Sequence, residues 1–318
     1  MVLDAVIAFF ILGIVCQLLG AKIPFPDNLY KTLSLILMIA IGLKGGIALQ
    51  AHIAASLLVM ALIVVAFGLL LPLIAYPLLR YFGQLDKINA GAIAAHYGSV
   101  SVATYAVAVA LLEAKQIPYE AYFPLFVVLL EMPAIIVGLI LAKGSVSLIN
   151  RHFLKKELLA NPSLLLMIGS LVIGYVGGDT VHKLSPLFID LFSAILALFL
   201  LKMGLIAGQQ LATLRDNSLF LISFAILMPM IGGLAGTGLG MLLGFSAGGI
   251  TLMAVLGASA SYIAVPAAMK ESLPEANAGM SITAALGITF PFNVLFNVPF
   301  FIALGQAVSQ IPFTGSRP

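Results

Sequence analysis

Two short serine-bearing segments interrupt apolar stretches about half the chain length apart. They are Gly98-Ser99-Val100-Ser101 and Ala258-Ser259-Ala260-Ser261. A helix that restarts inside a membrane leaves unpaired N–H groups and the positive end of its dipole at the break. Two facing restarts would bind a small anion, helped by the serine hydroxyls, while freed carbonyl oxygens would coordinate sodium. Close packing through small residues is the alternative, and the matched pair favours a binding site.

Four further polar residues stand within apolar runs. Glu131 precedes Met132-Pro133 in an otherwise uncharged stretch, where a carboxylate is costly unless it is protonated, paired or bound to a cation. We therefore interpret Glu131 as an ion ligand or proton carrier, with a hydrogen-bonded acid near the membrane interface as the alternative. His96 could titrate or have a structural role. Asn293 and Asn297 are one turn apart on one helix face, and they could line a polar route or bond to a neighbouring helix.

Composition indicates an integral membrane protein. The residues are 62% hydrophobic and 8% charged, whereas soluble domains carry roughly 25% charged residues. The single cysteine, Cys16, excludes a disulfide framework and a thiolate metal site, and the net charge of +3 gives no sign of a nucleic-acid partner. The sequence shows no zinc-ligand spacing, nucleotide-binding loop or serine–histidine–acid set, so we expect no enzyme activity.

The apolar runs predict an all-α protein with about ten transmembrane helices, five on each side of a polar linker. We expect a first repeat at residues 1–145, a linker at 146–161 and a second repeat at 162–318. The segment Leu43-Lys44-Gly45-Gly46 matches Leu201-Lys202-Met203-Gly204, and the serine segments follow in the same order. An odd number of spans inverts the second repeat relative to the first, which is typical of secondary transporters with broken core helices.

The loops predict the orientation. Lysine and arginine concentrate in alternate loops, the linker among them, and such positive charge marks the cytoplasmic side. We expect a multi-pass plasma (inner) membrane protein with the linker in the cytoplasm and both termini outside.

Two other patterns have structural interpretations. A stripe of small residues, Gly232, Gly236, Gly240 and Gly244, predicts close helix packing. Lys44 and Lys202 occupy matched positions near span ends, where snorkelling to the headgroups is favoured over contact with a substrate.

The chain resembles the sodium-dependent bicarbonate transporter family of cyanobacteria over nearly all of its length. The resemblance lies in residues 41–46, 97–104, 119–121, 131–134 and 258–266, and includes Tyr97-Gly98-Ser99-Val100-Ser101-Val102-Ala103-Thr104. It implies two inverted five-helix repeats, a homotrimer in membrane lipid, and anion and sodium sites between broken core helices. The implied anion-binding residues are Gly98, Ser99, Val100, Ser101, Ser259, Ala260 and Ser261. The expected ion-binding residues are Glu131, Thr104, Tyr262 and Asn297.

The chain departs from the family pattern at three places. Tyr262 and Glu131 each stand where family members have an aspartate, and the linker is much shorter. The short linker argues against the small trimeric signalling protein that regulates cyanobacterial members. We predict sodium-coupled symport of bicarbonate. Proton coupling through Glu131 or His96, another small anion or carboxylate as substrate, and a non-transporting membrane sensor remain the alternatives.

Overall fold

The computed structural model describes residues 4–21, 23–50, 55–145, 161–212 and 219–310, and every regular element within them is helical. The first half contains α1 (Ala5–Leu18), α2 (Asp27–Leu49), α3 (Ala55–Pro77, continued by a π-helical turn at Leu78–Phe82), α4 (Lys87–His96), α5 (Val102–Ala114), α6 (Phe123–Glu131) and α7 (Pro133–Lys143). The second half contains α8 (Pro162–Val176), turns at Gly178–Leu184 and Pro186–Asp190, α9 (Phe192–Ala212), α10 (Leu219–Leu242), α11 (Ala247–Gly257), α12 (Ala264–Ser272) and α13 (Ala278–Ser309). The linker predicted at 146–161 lies outside the described residues except for Asn161, as do both chain ends.

Six helices in the described part of the chain are long and apolar enough to cross a membrane. They are α2, α3 with its π turn, the α6–α7 pair, α9, α10 and α13. The two segments that carry the serines are each split into halves, of 10 and 13 residues in α4 and α5 and of 11 and 9 in α11 and α12. At about 1.5 Å per residue, each half covers roughly half of a 30 Å bilayer core. In this multi-pass membrane protein, each serine-bearing segment therefore needs both of its half-helices to cross the bilayer core.

The surface agrees with a lipid environment. Large apolar side chains are exposed along α3, α8 and α10, including Leu58, Leu62, Leu70, Val172, Ile173, Leu227 and Leu242. Exposed apolar faces on this scale are unfavourable in water and suit helices that face hydrocarbon tails.

Close glycine contacts hold the helices together. The predicted glycine stripe packs α10 against α11, since a Cβ added to Gly232 would lie 2.1 Å from the carbonyl oxygen of Gly257. The packing interpretation of that stripe is thus confirmed for Gly232, Gly236 and Gly240, whereas Gly244 has a positive φ of 72° at the turn after α10. Elsewhere α1 packs on α9 and α2 packs on α8.

The two broken segments run in opposite directions. Asn277 N–H donates to Asn89 Oδ1 at 2.7 Å, so the start of α4 lies beside the end of α12. Ser246 N–H donates to Glu120 Oε1 at 2.6 Å, so the start of α11 lies beside the loop after α5. We call these the Lys270 side (87–89 and 270–277) and the Glu113 side (113–120 and 246). Both breaks fall between them.

Candidate functional site

The two breaks contact each other directly. Ser261 N–H donates to the His96 carbonyl oxygen at 2.9 Å, and His96 Nδ1 lies 2.5 Å from the Ser261 carbonyl oxygen. Because a carbonyl oxygen only accepts, Nδ1 carries the proton in this contact. These reciprocal hydrogen bonds join residues that are far apart in the sequence. They bring the starts of α5 and α12 to one place in the interior.

Close packing explains the glycine of the first break. A Cβ on Gly98 would lie 2.4 Å from Pro72 Cδ in α3 and 2.8 Å from Ala134 Cβ in α7. Only a residue without a side chain fits between these two helices. The structure therefore places Gly98 in close contact with α3 and α7.

Two of the four predicted serines use their hydroxyl protons within the fold. Ser99 Oγ donates to the Glu131 carbonyl oxygen at 3.0 Å. Ser259 Oγ donates to the Val255 carbonyl oxygen at 2.8 Å. Each hydroxyl satisfies a buried carbonyl near a helix end, so neither proton is available to a ligand in this conformation.

The hydroxyl groups of the other two serines accept hydrogen bonds instead of donating them. Ser101 Oγ accepts from Thr104 N–H at 3.2 Å and from Thr104 Oγ1 at 2.9 Å, and it caps α5. Ser261 Oγ accepts from Val265 N–H at 3.5 Å. A hydroxyl that accepts from the helix keeps its own proton as a donor. Ser101 and Ser261 can therefore donate to an anion held between the breaks.

A small cavity lies between these two serines. Its volume is about 10 Å³, and it is lined by Met38, Val100, Ser101, Val102, Glu131, Ser261, Tyr262, Ile263 and Ala264. That volume suits one water molecule or one small ion. The lining joins five residues predicted from the sequence with the first residues of α5 and α12. No sequence signal pointed to Met38, which α2 contributes to the lining.

Glu131 supplies the carboxylate at this cavity. It is 3% exposed and ends α6, because Pro133 lacks an N–H and interrupts the helix. Among the described residues that line the cavity, it alone has a carboxyl group. A carboxylate at this depth is stable when it holds a proton or faces a cation.

Tyr262 supplies a second buried oxygen. Its side chain is 9% exposed and packs edge-on against Phe290 at 5.2 Å between ring centroids. The hydroxyl approaches Ser101 but forms no hydrogen bond of acceptable geometry with any described residue. Buried hydroxyls normally have a partner, and this oxygen can bond to a ligand at the cavity.

The remaining predicted residues lie around the cavity rather than on it. The Thr104 hydroxyl bonds to Ser101, as described above. Asn297 Nδ2 donates to Asn293 Oδ1 at 2.7 Å, and Asn293 Nδ2 donates to the Ala258 carbonyl oxygen at 2.8 Å. The asparagines thus support the end of α11 from a π-helical part of α13, Asn293–Asn297. Ala260 is buried within the second break.

Two larger cavities flank the breaks. The one on the Lys270 side has a volume of about 250 Å³ and includes His96 in its lining. The one on the Glu113 side has a volume of about 130 Å³ and is lined in part by Lys44, Tyr105 and Phe192. Lys44 Nζ lies 3.0 Å from Glu113 Oε1 and 4.5 Å from the centroid of the Phe192 ring. The structure thus places Lys44 at a cavity, with its charge paired.

Neither flanking cavity nor the breaks hold a recognisable transition-metal cluster. In the part of the chain that the structure describes, no three His, Cys, Asp or Glu side chains converge. A sodium ion needs no such cluster, since carbonyl, hydroxyl and single carboxylate oxygens suffice for a hard cation.

Comparison with known proteins identified one family. A family model described as the Na⁺-dependent bicarbonate transporter superfamily matches residues 5–306. No curated protein matches the chain. The matched region includes both helix breaks and every residue that lines the small cavity, and the family is the one suggested by the sequence motifs.

Proposed function

Because this chain belongs to the Na⁺-dependent bicarbonate transporter superfamily, we propose that it carries bicarbonate across the membrane together with sodium. One observation supports this most strongly: the starts of α5 and α12 meet at one cavity with Ser101, Ser261 and Glu131. Helix N-termini and hydroxyl protons attract an anion, and carboxylate and hydroxyl oxygens attract a cation. The cavity of about 10 Å³ would have to widen to admit an anion and a cation together. Bound side by side, the two ions would offset each other's burial cost, which would couple their movement.

We infer the candidate coupling ions from the side-chain oxygens at the cavity. Glu131 and the Tyr262 hydroxyl are the side-chain oxygens there besides the two serines. With Glu131 ionised, this set suits sodium. With Glu131 protonated, the same carboxyl group could carry a proton instead, and that is our second candidate. Tyr262 favours neither outcome by charge, because a phenol is neutral near pH 7.

We propose an architecture of two inverted five-helix repeats on the basis of reciprocal contacts. Lys44 lies over the ring of Phe192 at the start of α9, and Lys202 lies 5.6 Å from the ring centroid of Phe25 just before α2. The first helix of each half packs on the second helix of the other half. A two-fold axis in the membrane plane would produce such pairs.

The orientation and assembly are further proposals. The Lys270 side would face the cytoplasm, because Arg80, Lys87, Lys143 and Lys270 lie at helix ends there or in adjacent loops. Both termini would lie outside an inner membrane, and three copies would assemble as in the family that the sequence resembles. The accessibility of single cysteines introduced at Lys87 and Lys115, in a Cys16→Ser background, tests the orientation in intact cells.

Counterflow distinguishes a carrier from a sensor. Proteoliposomes preloaded with unlabelled bicarbonate would be diluted into labelled bicarbonate at alkaline pH, where little CO₂ can cross the lipid. We expect transient accumulation of label that unlabelled bicarbonate abolishes. Saturable binding without exchange would identify a sensor. Stronger competition by acetate or another carboxylate would identify a carboxylate carrier.

A further inference from the structure

The cavity on the Lys270 side is built to attract anions. Its volume of about 250 Å³ is enclosed mainly by apolar residues, and its polar lining is His96, Lys270 and Ser281. No carboxylate is among the described residues that line it. A water molecule occupies about 30 Å³, so a small oxyanion fits there with several waters. Lys270 is exposed and supplies positive charge without closing the cavity.

His96 lines this cavity, and one of its ring nitrogens is not used in the contact with Ser261. Its Nδ1–H is committed to the Ser261 carbonyl oxygen. The side chain is 1% exposed, and burying a charged imidazole is costly, so the ring is neutral with its second nitrogen unprotonated. That nitrogen, Nε2, has no hydrogen-bond partner among the described residues, and His96 lines the cavity. Its lone pair is available to a ligand that carries a proton.

We infer that this cavity is a second anion subsite that recognises an oxyanion bearing a hydroxyl group. Lys270 would attract the negative charge, and His96 Nε2 would accept the hydroxyl proton. Bicarbonate has both features. Nitrate has the same charge and trigonal shape but no hydroxyl, so it leaves Nε2 unpaired. The inference rests on the proposed function for its choice of bicarbonate, and it makes His96 a specificity-determining residue.

Two substitutions separate the contributions. In His96→Asn, the amide nitrogen takes the place of Nδ1 and keeps the bond to Ser261, whereas the acceptor at Nε2 is lost. In Lys270→Gln, the charge is lost and the acceptor stays. Thermal stabilisation of the purified full chain, titrated with bicarbonate or nitrate at constant ionic strength, reports binding without requiring transport.

We expect the wild-type protein to bind bicarbonate more tightly than nitrate. The substitution His96→Asn should raise the half-saturating bicarbonate concentration about threefold to tenfold, the loss expected for one hydrogen bond, and leave nitrate unchanged. The substitution Lys270→Gln should weaken both anions by a similar factor. His96→Gln, which retains an acceptor near Nε2, should preserve the preference for bicarbonate.

The proposal is overturned if nitrate and bicarbonate bind the wild-type protein equally, a comparison that requires no variant to fold. It is also overturned if His96→Asn folds and keeps the full preference. Failure of the proposed function has a different signature, because counterflow would then be absent while the preference and its loss in His96→Asn persist.

Discussion

Replacing Ser101 by alanine removes a hydrogen-bond donor that the anion would use, and it leaves the helix break in place. The Ser101 oxygen is occupied by Thr104 N–H and Thr104 Oγ1, so its proton is what it offers to a ligand. A hydrogen bond to a charged group contributes about 1.5–3 kcal/mol. We therefore expect Ser101→Ala to weaken bicarbonate binding by roughly tenfold to 150-fold. Ser101→Thr, which keeps both the hydroxyl and the cap, should remain close to the wild-type affinity.

Ser99→Ala is the matched control. Its hydroxyl donates to the Glu131 carbonyl oxygen, so this variant should lose stability and keep its anion affinity. Both alanine variants should lose about 1 kcal/mol of stability, because Ser101→Ala removes a helix cap and Ser99→Ala removes a buried hydrogen bond. Ser261→Ala and Ser259→Ala form the equivalent pair in the second break.

The assay combines the concentration dependence of bicarbonate uptake in proteoliposomes with the melting temperature of each purified variant. Equal affinity losses in Ser99→Ala and Ser101→Ala would refute the division of the serines into structural and ligand-facing pairs. Unchanged affinity in both Ser101→Ala and Ser261→Ala would refute the anion site at the breaks.

Four further outcomes are expected. Glu131→Gln should abolish or strongly reduce the ion dependence of uptake in a folded protein, and Tyr262→Asp should lower the sodium concentration for half-maximal uptake. Gly98→Ala should lower the stability of the fold by about 1–3 kcal/mol, because the new Cβ would contact Pro72. Its melting temperature should therefore be lower than that of the control Gly169→Ala, where a Cβ meets nothing within 4 Å. Asp86 caps α4, and the N–H of Asn89 holds the pKa of its carboxyl group below the usual 3.8. Its stabilisation is therefore present at neutral pH and lost as the pH falls through the lowered pKa, so the melting-temperature difference between wild type and Asp86→Ala should shrink below about pH 4.

The sequence predicted the features of the candidate site that depend on local chemistry, namely the helix breaks. The serine segments break helices because small polar residues and glycine disrupt apolar helical runs, and Pro133 marks the break beside Glu131. Those signals are short-range. Apolar run length likewise predicted helices that can cross a membrane, since a span needs about 20 apolar residues, and six helices among the described residues are long and apolar enough.

Contacts between distant segments could not be read from the sequence. The bonds between His96 and Ser261 join the two halves, and no periodicity encodes which residues of the two breaks meet. The roles of Ser99 and Ser101 differ only in the direction of their hydroxyl groups, which depends on the surrounding carbonyls and amides. Met38 reaches the cavity because of how α2 packs. Any apolar residue on that face of α2 could have done so, and the sequence does not distinguish among them.

The central claim, sodium-coupled bicarbonate symport, is tested most directly by uptake with the two gradients imposed separately. Proteoliposomes with a clamped membrane potential would receive labelled bicarbonate under an inward sodium gradient at equal pH, and then under a pH gradient without sodium. Accumulation driven by sodium, absent with the pH gradient alone, is the predicted result. Uptake that ignores sodium and follows the pH gradient, and that Glu131→Gln removes, would contradict the claim and identify Glu131 as a proton carrier.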